Sequence, residues 1–99
     1  MVKGANKGAR KSGVSVRSLL LVDDDSSLRR VTEYSLQRAG YQVLTAEDGQ
    51  RGIELFLRER PPVVVTDIQM PGLSGHELLE RIKNESPQTL VRLKRRSKR

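Results

Sequence analysis

Acidic residues close two of the apolar runs in this sequence of 99 residues: Asp23, Asp24 and Asp25 follow Ser18-Leu19-Leu20-Leu21-Val22, and Asp67 follows Val63-Val64-Val65-Thr66. Runs this short, with stops on both sides, read as strands buried on both faces, so each acid should stand at a strand's carboxyl end. If the two strands are parallel, Asp23, Asp24 and Asp67 share one edge of the sheet, where open α/β sheets bind ligands. Gathered carboxylates repel, since two charges about 4 Å apart at an effective dielectric of about 20 cost about 4 kcal/mol. A hard divalent cation removes that cost. Mg²⁺ takes one or two carboxylates and completes its shell with water and phosphate oxygens. Asp25 is the exception, better placed to cap the next helix than to join the cluster.

The elements that must position these acids follow in order. Ser26 or Asp25 caps a helix with an apolar stripe of Leu28, Val31, Leu36 and Ala39, and Gly40 ends it. Tyr41-Gln42-Val43-Leu44-Thr45-Ala46 reads as a second strand. Glu47-Asp48-Gly49 then turns into a helix through Ile53, Leu55, Phe56 and Leu57, where Gly52 costs about 1 kcal/mol relative to alanine. Pro61-Pro62 stops that helix before the strand that carries Asp67. Beyond the Pro71-Gly72 turn, Ser74 or Gly75 opens a third helix carrying Leu78, Leu79 and Ile82. Strands alternating with helices imply an α/β fold with parallel strands joined by right-handed crossovers. Thr89-Leu90-Val91 begins a fourth strand, but Arg92, Lys94, Arg95 and Arg96 are charges that a buried strand cannot hold unpaired, so a stub is expected.

A net charge of +7 raises the question of a nucleic-acid partner, yet the charge sits at the ends. Residues 19 to 91 hold eight basic and twelve acidic residues, a net of −4, between five basic residues in 1 to 18 and six in 92 to 99. The expected division is a disordered basic tail over 1–17, a folded unit over 18–91 and a basic tail over 92–99. No aromatic residue interleaves the basic ends to stack on bases, so any nucleic-acid binding should be weak and sensitive to salt. The lack of cysteine excludes disulfides, thiolate catalysis and cysteine zinc sites. No run approaches the roughly 20 apolar residues of a membrane span, and the expected location is the cytoplasm with no membrane partner. His76, the single histidine, is expected at the surface.

Three segments in register, Leu19-Leu20-Leu21-Val22-Asp23-Asp24-Asp25, Ala46-Glu47-Asp48-Gly49 and Asp67-Ile68-Gln69-Met70-Pro71-Gly72-Leu73-Ser74-Gly75, resemble the receiver domain of bacterial response regulators. The resemblance covers residues 19 to 91 and implies a flavodoxin-like parallel sheet with helices on both faces, incomplete at its C-terminal side. It implies a two-component phosphorelay in which Asp67 accepts a phosphoryl group from a sensor histidine kinase, so the chain is a phosphoacceptor and not an enzyme. It further implies Mg²⁺ held by Asp24, Asp67 and the backbone carbonyl of Gln69, with Asp23 acting through a metal-bound water. The family's hydroxyl residue on strand four and its lysine on strand five have no counterparts. Arg95 stands at the hydroxyl position, and the abrupt change near Arg92 suggests a truncated product with impaired switching. The alternative from another class is a non-enzymatic interaction protein that self-associates through an open sheet edge or binds nucleic acid through its tails.

Overall fold

The computed structural model describes residues 17–95. Four strands, β1 (Ser18–Val22), β2 (Gln42–Ala46), β3 (Val63–Asp67) and β4 (Leu90–Lys94), alternate with three helices, α1 (Ser26–Arg38), α2 (Gly49–Glu59) and α3 (Gly75–Glu85). Every strand pair is parallel, in the order β2-β1-β3-β4. This is the flavodoxin-like order, and it leaves a switch point between β1 and β3, whose chains depart in opposite directions.

Side-chain alternation along the strands divides the molecule into two layers. Leu20, Val22 and Val64 meet Ile53 and Phe56 of α2 and Leu78 and Ile82 of α3 in the buried core. Leu19 and Leu21, also buried, point the opposite way, toward α1. α1 buries none of its residues fully, and Leu28 and Val31 of its stripe are exposed, as is Tyr34. The reason lies beside it: on that face Val63 and Val65 of β3 are only half-buried and Leu90 of β4 is exposed, with no helix over them among the described residues.

Helix starts follow the capping residues. Asp25 accepts a hydrogen bond from the Leu28 amide at 3.0 Å, so it is the cap of α1 and is taken out of the acid cluster. Asp48 accepts from Arg51 N at 2.8 Å at the start of α2. Ser74 and Glu77 form a reciprocal capping box at α3, with Glu77 N donating to Ser74 Oγ at 3.2 Å and Ser74 N to Glu77 Oε1 at 2.9 Å. Ser74→Ala is therefore expected to lower stability by about 1 kcal/mol, read as a fall in the denaturant midpoint with unchanged slope.

Two expectations change. Gly52 weakens α2 as an isolated helix, but it is buried, and a Cβ there would meet Val22 Cγ2 at 3.0 Å, so its bareness lets α2 lie close on β1. β4 is not a stub: it pairs with β3 from Val63↔Leu90 to Asp67↔Lys94, past the point where the sequence suggests a tail. It needs to bury only one face, because no described helix covers the face shared by Leu90, Arg92, Val63 and Val65. Val91 packs against the core, Arg92 is exposed, and Lys94 finds an acidic partner. Residues 1–16 and 96–99, most of the expected N-terminal tail and half of the C-terminal one, lie outside the described residues.

Candidate acidic site at the switch point

Strand register sets the site. Asp23 continues β1 by one residue, its amide donating to Ala46 O at 3.1 Å, and Asp67 is the last residue of β3. One carboxylate oxygen from each of Asp23, Asp24 and Asp67 lies within 4.8 Å of the others. Asp23 and Asp67 are buried, at 0% and 1% exposure, and Asp24 is the most accessible of the three. Asp24 also lines an open cleft of about 310 Å³ with Gln69, Met70 and Pro71, and an adjoining one with Glu47, Asp48 and Leu73.

The loop after β3 is fixed by its backbone. Gly75 N donates to Ile68 O at 2.9 Å, and Ile68 N to Lys94 O at 3.3 Å. Thr66 Oγ1 donates to the Asp67 carbonyl at 3.1 Å. Met70, 8% exposed, anchors the loop in the core beside the acids, which leaves exposed Gln69 at the cleft.

All four residues singled out in the sequence, Asp23, Asp24, Asp67 and Gln69, thus meet at one end of the sheet, while His76 lies exposed at the first turn of α3. Sequence reasoning missed Lys94. Its Nζ donates to Asp23 Oδ2 at 2.9 Å across 71 residues of chain, and Asp23 Oδ1 accepts from the Asp25 amide at 3.0 Å. Arg29 Nη1 adds a second cation nearby, donating to the Asp23 carbonyl at 2.8 Å. The available signal was Arg92-Leu93-Lys94, where charge and apolar residue alternate with strand period, as on an edge strand.

The donor set suits Mg²⁺. It consists of carboxylate oxygens, with none of the nitrogen or sulfur ligands that softer metals prefer, and it stands beside an open cleft with room for water. Burying these acids against one another calls for positive charge, which Lys94 supplies in part.

Residues 19–93 match the family described as "Response regulator receiver domain". The transcriptional regulatory protein AfsQ1 of Streptomyces coelicolor is 38% identical over 80 residues, which are 81% of this chain and 36% of that protein. Among solved structures, a response regulator receiver domain protein from Clostridium thermocellum superposes with a TM-score of 0.77 at 32% identity, covering 79% of this chain and 64% of that one. The response regulator TrrA of Thermotoga maritima, solved in complex with Mg²⁺-BeF, gives a TM-score of 0.72 at 31% identity, covering 78% of this chain and 65% of that one. The chain spans about a third of the length of the curated relatives it matches. Among the described residues no helix is long and apolar enough to cross a membrane. The acids gathered at the switch point are the ones the family match encloses, and the chain belongs to the response regulator receiver domain family.

Proposed function

We propose that this chain accepts a phosphoryl group on Asp67 from a sensor histidine kinase, in the cytoplasm, with Mg²⁺ held by Asp24, Asp67 and the Gln69 carbonyl. The observation that carries this reading is the convergence of Asp23, Asp24 and Asp67 within 4.8 Å at the carboxyl ends of adjacent parallel strands. Asp67 is the nucleophile: a carboxylate oxygen forms the new bond to phosphorus as the bond from phosphorus to the histidine nitrogen breaks, and the imidazole leaves with the electron pair. Asp23 is pinned by the Asp25 amide and Lys94, and would help hold a bound Mg²⁺ through water. Bound Mg²⁺ supplies charge balance to the transferring phosphoryl group. The chain is thereby a phosphoacceptor that assists its own modification.

Mg²⁺ titration followed by amide NMR tests the metal half of this reading. Shifts at Asp24, Asp67 and Gln69 that saturate together are the expected result, and a folded sample with no shift there sinks it.

A second reading is favoured by the open side of the sheet. Leu90 of β4 is 53% exposed and Val63 and Val65 of β3 are half-buried on a face that no helix covers among the described residues, next to the edge of β4 that pairs with none of the described strands. Self-association through that edge would bury Leu90. Sedimentation that shows a dimer at high salt supports it, whereas a monomer at every concentration and salt level removes it.

A further inference from the structure

The lysine associated with receivers belongs to a fifth strand, yet an ammonium group reaches the acid cluster here from β4. Lys94 lies opposite Asp67 in the β3-β4 register and places Nζ 2.9 Å from Oδ2 of Asp23, which is fully buried. The lysine side chain is itself 23% exposed, so it is held in the cluster and not lost in solvent. Asp23, Asp24 and Asp67 present three negative charges within one cation's reach, and Lys94 offsets one of them. Arg29 contributes at the backbone of Asp23, whereas Arg92, two residues back on β4, is exposed opposite Val65 and makes no ion pair with the cluster.

We propose that Lys94 is a positioning residue that acts as a tethered cation: it occupies the acid cluster when no metal is bound and sets the affinity of the cluster for a divalent cation. The proposal rests on the metal-binding reading of Asp23, Asp24 and Asp67. A divalent ion in the cluster repels the nearby ammonium and competes with it for Asp23, so binding of that ion weakens the ion pair between Lys94 and Asp23 and drives the ammonium toward solvent. The contact therefore stabilises β4 and Asp23 in the metal-free chain and holds metal affinity down.

The test uses the full chain with Mg²⁺ as the probe. Wild type, Lys94→Met and Arg92→Gln are titrated by amide NMR at Asp24 and Gln69, and each is melted in chelator and in saturating Mg²⁺. Lys94→Met keeps the length of the side chain and removes its charge. The expected result is Mg²⁺ affinity about tenfold tighter in Lys94→Met, with less than about a twofold change in Arg92→Gln, because only the first charge lies in the cluster. Lys94→Met should also melt lower than wild type in chelator, with the gap closing in saturating Mg²⁺. A lysine with a purely structural role would leave the same gap in both conditions. In wild type, the Lys94 side-chain resonances should shift along the same isotherm as the Asp24 amide, a readout that survives if Lys94→Met does not fold.

Equal affinity in wild type and Lys94→Met overturns the proposal while leaving the metal site intact, as does a Lys94 resonance that ignores Mg²⁺. Equal tightening in Arg92→Gln also overturns it, because net charge alone would then be acting. Absence of Mg²⁺ binding in every folded variant removes the metal-binding reading itself, and this proposal with it.

Discussion

Gly75→Ala is expected to destabilise the chain by about 3 kcal/mol and to shift the amides of Asp67 and Ile68 in whatever folded fraction remains. A Cβ at Gly75 would collide with the carbonyl oxygen of Asp67 and stand 2.9 Å from Ile68 Cα and 3.0 Å from Asp67 C. Those atoms are backbone at the end of β3 and cannot swing aside as a side chain would. Relief requires the amino end of α3 to move away from the sheet, which breaks the bond from Gly75 N to Ile68 O and opens the capping box next to it. Domains of this size have about 5–15 kcal/mol of stability, so the loss is a large share of the total. Urea denaturation checks the first part and NMR of the folded fraction the second. Wild-type stability in Gly75→Ala would mean that α3 does not sit as close to Asp67 as this packing requires.

Asp67→Asn is expected to reduce labelling by a small phosphodonor such as acetyl phosphate by roughly 10³-fold or more, because an amide oxygen is no substitute for a carboxylate nucleophile. The fold should survive. Asp67 is buried beside Asp23 and Asp24, so removing its charge relieves repulsion, and the melting temperature in chelator should hold or rise. Mg²⁺ affinity should fall in the same variant if Asp67 is the ligand proposed above, since that oxygen donor loses its charge. Intact-protein mass spectrometry reads the labelling and a thermal melt the fold. A well-folded Asp67→Asn that labels as wild type does would place the acceptor elsewhere.

Much of this architecture was legible because the local signals agree with one another. Unbroken apolar runs at Leu19–Val22 and Val63–Val65 gave strands, and Asp25, Asp48 and Ser74 gave helix starts that the capping bonds match. Asp23, Asp24 and Asp67 were recoverable as a set because parallel pairing of β1 and β3 follows from strand and helix alternation, and pairing puts strand ends together. What stayed hidden depends on approach between elements. Gly52 and Gly75 look like a weak helix residue and a helix-opening residue until Val22 and the Asp67 carbonyl are seen against them. β4 runs past the expected stub because Arg92 and Lys94 stand on the face that no described helix covers, so the strand is not buried on both faces. Lys94 falls in the expected tail for the same reason, and no local pattern reveals a partner 71 residues away.

The central claim is that the acid cluster is a competent phosphoacceptor site. Its most direct test is incubation of the full chain with acetyl phosphate in Mg²⁺ and in chelator, followed by proteolysis and mass spectrometry to locate the acyl phosphate. A single phosphoryl group on the peptide that contains Asp67, formed in Mg²⁺ and not in chelator, is the predicted result. A chain shown to be folded and to bind Mg²⁺ that takes up no phosphoryl group, or takes it up at another residue, would contradict the account.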